Sequence, residues 1–459
     1  MSSLRRLTSI VALFVCLLAG SAFAVPAFAR QTGMSCSQCH TVFPELTPFG
    51  RQFKAGGYTL TMTKQITEGG GEARTALEFP ANVPLGVMAI VGYTHTATAQ
   101  VGPDGTPAKN DDISLPQQFS LFYAGKIAPK LGAFIQLTYE GAADHLGFDN
   151  TDIRFAHTLD LGGSNLILGA TVNNGPTVSD LWNSTPAWSG PYTGSPSAPT
   201  PGASTLIDGK LAQAVAGVGV YAYWNGMVYA EFDVYRSAPL GITLPLHSGT
   251  GATNVIEGVV PYWRLAGEKS FGSHSISVGT FGLYGEILPG GTYTVTDPDT
   301  GVQTQANRAL LAPGDKYLDV AFDAQYQYIG EHHIVSVLAS YIHEGQTLTA
   351  TNGFGGADNL SNDLQTFKLN ANYIYDRTIG VRGTFATVRG SSDATLYGGQ
   401  GPRSTTLGAE IFYTPWHNVK VGLSYTAYLD FNGAAQNYDG AGRNAADNNT
   451  VYAYTWLAF

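Results

Sequence analysis

From about residue 79 to its end the chain breaks into segments of roughly ten residues in which apolar and polar side chains alternate, and this period-two pattern constrains the fold more than any other feature. A strand sends successive side chains to opposite faces, so alternation specifies unlike surroundings on the two sides of one sheet. The clearest segment is Leu318 to Tyr328. Leu318, Val320, Phe322, Ala324, Tyr326 and Tyr328 share one face, and Asp319, Ala321, Asp323, Gln325 and Gln327 the other. Val228, Ala230, Phe232 and Val234 likewise alternate with Tyr229, Glu231, Asp233 and Tyr235; Phe367, Leu369, Ala371, Tyr373 and Tyr375 alternate with Lys368, Asn370 and Asn372. A soluble β-sandwich also alternates, but 459 residues built that way divide into several domains. Only 13% of residues are charged, against 25 Tyr, 22 Phe and 56 Gly. Beyond the N-terminal region no apolar run is long enough for a membrane helix. Few charges and many aromatics without long apolar runs suit strands that face lipid on one side and water on the other.

The connections sharpen this. Short turns fall near Ala128-Pro129-Lys130, Leu161-Gly162-Gly163-Ser164, Asn225-Gly226, Gly272-Ser273, Gly330-Glu331, Asp376-Arg377 and Pro415-Trp416. They alternate with longer polar or Gly-rich stretches near 101–114, 141–148, 174–209, 237–256, 288–316, 346–360, 390–402 and 430–447. Short inner turns alternating with long outer loops mark a bacterial outer-membrane barrel, and the segments number about sixteen, an even count that puts both termini in the periplasm. The last segment, Val451 to Phe459, resembles the closing strand by which such barrels are recognised for assembly, although Leu457 stands where an aromatic is commoner. With Phe459 toward lipid, Tyr452, Tyr454 and Trp456 point inward, which suits packing around a buried plug; a bulge that reverses the phase is the alternative.

The N-terminus reads as an export signal, 1–24: Arg5 and Arg6, an apolar run from Ile10 to Ala19, then Ala22-Phe23-Ala24, with a second small-residue site at Ala27-Phe28-Ala29. Cys16 falls inside it. Two cysteines remain, so no disulfide framework holds an exported chain of this length together, and the pair needs a local explanation. It stands in Cys36-Ser37-Gln38-Cys39-His40. This is the spacing for covalent haem attachment, with two thiols for thioether links and a histidine placed to bind the iron. A thioredoxin-like redox pair is the alternative, but no βαβ pattern surrounds it.

Around the motif the chain reads Phe28-Ala29-Arg30-Gln31-Thr32-Gly33-Met34-Ser35, and after it Phe43-Pro44-Glu45-Leu46-Thr47-Pro48-Phe49-Gly50-Arg51-Gln52-Phe53-Lys54. With a barrel behind it, this segment resembles the fused cytochrome–porin family of outer-membrane iron-oxidising monohaem cytochromes. The match is architectural over the whole chain and motif by motif only over about 28–60. The resemblance implies a mainly β fold: an outer-membrane antiparallel barrel of about sixteen strands, 79–459, with a small monohaem cytochrome c plug, 25–78. A segment that short lacks a core of its own and needs the barrel to shield a haem.

On this reading Cys36 and Cys39 carry one covalent haem c and His40 is its proximal ligand. Met62 is the expected distal ligand, because the chain can fold back across that separation; Met34 lies too close to the attachment site, and His95 is the rival. Arg51 and Lys54 either neutralise the haem propionates or pair with acidic lumen residues. Phe43, Phe49 and Phe53 pack on the porphyrin or the wall. The predicted inward face carries Glu140, Asp152, Glu231, Asp233, Asp319, Asp323 and Glu410 against Arg154, Arg264 and Lys368, an acidic excess that favours cations. Loop acids such as Asp111, Asp297, Asp358 and Asp439 either attract a divalent ion or are solvated tips.

The expected function is one-electron transfer: extracellular Fe(II) is the donor and a periplasmic carrier such as a soluble cytochrome the acceptor, with lipid around the barrel. A porin whose haem segment is a gate or sensor, and outward electron delivery, are the alternatives. Nothing in the sequence marks a nucleophile–base set, a zinc site or a nucleic-acid surface.

Overall fold

The computed structural model describes residues 27–60, 67–68, 79–80, 83–100, 111–182, 193–237, 254–289, 292–296, 303–307, 313–398 and 400–459. The export signal and Met62 lie outside the described residues.

The chain forms a closed antiparallel barrel. Its strands are β1 (Leu85–Thr96), β2 (Asp112–Ala128), β3 (Leu131–Glu140), β4 (His145–Asp160), β5 (Asn165–Asn173), β6 (Ala216–Trp224) and β7 (Val228–Arg236). After them comes β8, made of Asn254–Glu257 and Val260–Phe271, then β9 (His274–Pro289), β10 (Asp315–Ile329), β11 (His333–Thr347) and β12 (Ser361–Tyr375). The last four are β13 (Ile379–Gly390), β14 (Ser404–Trp416), β15 (Val419–Asp430) and β16 (Thr450–Ala458). The two parts of β8 flank Gly258, whose φ is 74°, and both lie against β9, so the 17 hydrogen-bonded segments are 16 strands. Each strand pairs with its neighbours in sequence, and β16 pairs with β1 at Thr455↔Val91, which removes both sheet edges.

The alternation becomes inside and outside. On β10, Asp319, Ala321, Asp323, Gln325 and Gln327 are buried toward the lumen while Leu318 and Phe322 are exposed. Val218, Phe232, Leu265, Val278, Ile411 and Leu423 belong to the same exposed apolar exterior. Backbone groups that pair only within a closed sheet, inside an apolar surface, are what hydrocarbon requires of a spanning structure. The molecule is therefore a porin-like outer-membrane barrel. Short turns gather at one end and long connections at the other. One turn differs from the sequence expectation: Pro415 and Trp416 end β14, whose register shifts at Tyr413/Trp416, and the turn itself is His417-Asn418.

Two segments fill the lumen. Residues 27–60 form three short helices, α1 (Ala27–Thr32), α2 (Cys36–Cys39) and α3 (Pro48–Ala55), in the short-turn half. The connection between β5 and β6 also folds inward, and Leu181, Trp182, Leu206, Ile207 and Leu211 are all buried. Leu206, Ile207 and Leu211 pack on Tyr235, Tyr262, Phe281 and Leu283 of the wall. Trp182 packs on Tyr223 and Tyr229, with ring centroids 6.3 and 5.3 Å apart. Charges are matched in pairs: Arg154 with Asp152 at 2.7 Å, Arg264 with Asp323, Lys368 with Asp208 at 2.8 Å, and Glu410 with Arg382 and Lys420 at 2.5 and 3.3 Å. Of the acids expected on the inward face, Asp152, Asp323 and Glu410 are in these ion pairs, whereas Glu231 and Asp233 accept from the Tyr229 and Tyr235 hydroxyls, each at 2.8 Å, and Asp319 from the Ile207 N–H at 2.9 Å.

Candidate functional site

Cys36 to Cys39 make a single helical turn, closed when the His40 N–H reaches the Cys36 carbonyl at 2.9 Å. The chain then doubles back: His40 bridges Leu46, and the Thr41 N–H donates to the Glu45 carbonyl at 3.2 Å. Thr47 starts α3, accepting the Gly50 N–H at 3.1 Å with Pro48 at the first helical position. The same hydroxyl donates to the Gln38 carbonyl at 2.7 Å, tying α3 to α2. Gly50 permits that contact, since a Cβ there would lie 2.3 Å from the Cys39 carbonyl oxygen.

The barrel wall holds this unit. Glu45, fully buried, accepts from Thr41 Oγ1 at 2.7 Å, from Gln327 Nε2 at 3.0 Å and from Ser336 Oγ. Tyr58 donates to Asp152 at 2.6 Å, and Tyr221 donates to the Ala55 carbonyl at 2.7 Å. These partners stand on β4, β6, β10 and β11. The segment therefore borrows a core from the barrel, as its length requires.

A cavity of about 290 Å³ lies between this unit and the wall at the short-turn end. Its size is near the lower bound, about 300 Å³, of small-molecule and cofactor sites. Cys36, Cys39 and His40 line it together with Phe28, Phe43, Phe49 and Phe53 of the luminal segment and Phe122, Phe412 and Trp456 of the wall. Phe43 lies edge-on to Trp456 at 5.3 Å and 5.1 Å from the His40 ring, so the inward Trp456 packs on the luminal segment and no bulge turns it outward.

The residues present fit a covalently held haem. Both thiols are free. Burial pushes Cys39 up to about 11, reinforced by the charge of Cys36, and burial also raises Cys36. Neither is the thiolate that disulfide-exchange chemistry needs. Burial pushes His40 down to about 4 against the carbonyls of Pro44 and Glu45. Its Nδ1 lies 3.1 Å from the Pro44 carbonyl oxygen, which only accepts. The ring is thus neutral with its proton on Nδ1, leaving the Nε2 lone pair for a metal. An apolar pocket with two thiols and one imidazole is a suitable donor set for haem c.

The other candidates are placed differently. Arg51, 1% exposed, donates to Glu268 Oε2 at 2.7 Å, the Leu46 carbonyl at 2.6 Å and Gln325 Oε1 at 3.0 Å, and does not line the cavity. Of its two expected roles the structure gives it the pairing with an acidic lumen residue, because that carboxylate would otherwise be buried alone. Lys54 lines the cavity, yet its ammonium donates to the Val178 and Asp180 carbonyls, the latter at 2.9 Å. His95 is remote. It pairs with Asp111 at 2.7 Å and stands seven residues along β1 from Met88, about 23 Å at the usual strand rise. Met34 does line the cavity.

Three residues that sequence reading passed over also matter. Arg377 and His417, in the β12–β13 and β14–β15 turns, line the cavity, and neither makes a hydrogen bond or ion pair to the described residues. Glu45 anchors the motif. A carboxylate in the otherwise apolar run Phe43-Pro44-Glu45-Leu46 was the one available signal.

No protein-family model and no curated protein sequence matches the chain. Solved structures do resemble it in fold. OmpT expressed in the outer membrane of Vibrio cholerae is 9% identical, with a TM-score of 0.42 over 82% of this chain and 97% of that one. An anion-selective porin from Comamonas acidovorans is 13% identical, with a TM-score of 0.41 over 82% and 98%. The outer-membrane channel DcaP of Acinetobacter baumannii is 10% identical, with a TM-score of 0.43 over 82% and 96%. Any function beyond the barrel is argued from this chain's own residues.

Proposed function

We propose that the protein is an outer-membrane electron-transfer protein of the fused cytochrome–porin kind. It carries one haem c on Cys36 and Cys39 with His40 as proximal ligand, takes electrons from extracellular Fe(II) and passes them to a periplasmic carrier such as a soluble cytochrome. The observation that carries this is the cavity: both thiols and His40 line one apolar space walled by the barrel. Haem bound there would supply a one-electron couple, with a potential set by burial and axial ligation. The chain's own part is to hold and shield. His40 donates its Nδ1 proton to the Pro44 carbonyl, the phenylalanines and Trp456 exclude water, and Arg377 offers an unpaired cation for propionates in the role expected of Arg51. The short-turn end, where the cavity opens, faces the periplasm on this reading, within reach of a soluble carrier.

A second reading, a porin with a haem-bearing gate, is favoured by the barrel itself, since 16 strands ordinarily enclose an aqueous channel. The packed β5–β6 connection and the luminal helices weigh against free passage. Anaerobic stopped-flow mixing of the purified haem protein with Fe(II) tests the choice. Reduction of the haem bands is expected, together with little solute uptake by liposomes carrying the protein. A haem that stays oxidised across neutral and acidic pH, with rapid liposome swelling, makes the protein a channel.

A further inference from the structure

Resting on the haem reading above, we propose that His417, in the two-residue turn between β14 and β15, is the distal ligand of the iron. The attachment motif supplies a ligand to one face of the macrocycle only, so a ligand for the other face has to come from another element. Of the side chains lining the cavity, seven besides His40 and the two cysteines bear an atom a haem iron can accept or a cation: Met34, Lys54, Tyr58, Met88, Arg377, His417 and Lys420. Lys54 is held by two carbonyls, Tyr58 by Asp152 and Lys420 by Glu410 at 3.3 Å. Guanidinium has no lone pair to give.

Met34, Met88 and His417 remain. Met88 is 5% exposed and is packed into the wall with Ile90, Tyr452, Tyr454 and Trp456. Met34 is separated from Cys36 by a single residue, so its side chain starts at the thioether edge and on the motif's own strand of chain. His417 belongs to the wall, which closes the cavity from outside the motif. It is exposed at the mouth and makes no hydrogen bond to the described residues, so both ring nitrogens are available. A ligand on a barrel turn also explains why the motif is docked in the lumen mouth: haem then cross-links the luminal segment to the wall, and docking completes the coordination.

The test is absorbance and electron paramagnetic resonance of the ferric protein, purified as the full chain in detergent, for wild type, His417→Ala, His417→Met, Met34→Leu and Met88→Leu. Covalent haem is measured separately as the pyridine haemochrome, and folding as heat-modifiable gel mobility. Wild type, Met34→Leu and Met88→Leu should be low-spin and six-coordinate. His417→Ala should be high-spin, with millimolar imidazole restoring the low-spin spectrum, and His417→Met should remain six-coordinate with a more positive potential. The inference is overturned by a low-spin His417→Ala protein, by a high-spin Met34→Leu or Met88→Leu protein, or by a five-coordinate wild type. If the wild type carries no covalent haem, the haem reading itself fails; if haem is present and His417→Ala changes nothing, only the ligand assignment does.

Discussion

Arg51 is a full positive charge with almost no access to water, and its worth lies in what its removal would strand. Glu268 accepts from Arg51 Nε and also from Trp182 Nε1 at 3.1 Å, so one carboxylate joins α3 to the β5–β6 connection. Breaking a buried pair by removing one partner costs about 3–5 kcal/mol, whereas removing both costs far less. Arg51→Met should therefore release the luminal segment at lower denaturant than wild type, and Arg51→Met with Glu268→Gln should recover most of the difference. Proteolysis of residues 27–60 against urea concentration measures it; equal midpoints for single and double variants would show that the pair does not anchor the segment. Gly50 sets a sharper limit. Gly50→Val puts branched carbon where the Cys39 carbonyl already lies, so on the proposed haem reading haem content should fall severalfold while the barrel still assembles, read as haemochrome per folded protein.

At the scale of elements, the long connections are built structures. Asp393 caps the short helix Ala394–Tyr397 through the Leu396 N–H at 2.9 Å and also accepts from Asp358 N and Asn359 N, both at 3.0 Å. One carboxylate thus clips the β11–β12 loop to the β13–β14 loop. Burial raises this carboxyl, but those amides and Asn362 hold it below the usual aspartate range. A depressed folded-state value means the clip is fully present above the unfolded pKa, about 3.9, and is lost as pH falls through the lower folded value. Hydrogen exchange in 391–398 should accelerate below about pH 4 in wild type and show no such step in Asp393→Asn; an identical acid step in both would remove Asp393 from the account. The strands were legible in advance because the pleat fixes a period of two and each face meets one environment, as on β10 and β12. The β14–β15 turn was displaced by two residues because Pro415 and Trp416 read as turn formers, while the actual turn needed only His417-Asn418 and a register shift.

The whole molecule is a barrel of channel size with its channel filled. The chain leaves the wall after Gly175 and rejoins it beside the same point at Ala212: a Cβ on Gly175 would lie 3.3 Å from Ala212 Cα, and Gln213 N–H donates to the Asn174 carbonyl at 3.1 Å. Joining Gly175 to Ala212 should therefore keep the barrel closed and open the lumen. Conductance in planar bilayers is expected to rise by an order of magnitude or more over wild type, and unchanged conductance would mean that other segments block the pore. The same excision removes Trp182 and the Lys54 acceptors Val178 and Asp180, so the hold of the wall on the luminal segment should weaken with it. The sequence by itself determined the strand alternation, the division into short turns and long loops, and the spacing of Cys36, Cys39 and His40, because pleat period and motif spacing are local properties. Only the tertiary structure decided that Arg51 serves the wall, that His95 stands far from the motif, and that Arg377 and His417 share its cavity. Those depend on which strands a closed barrel brings around one luminal segment, and closure joins residues hundreds of positions apart that no local pattern relates.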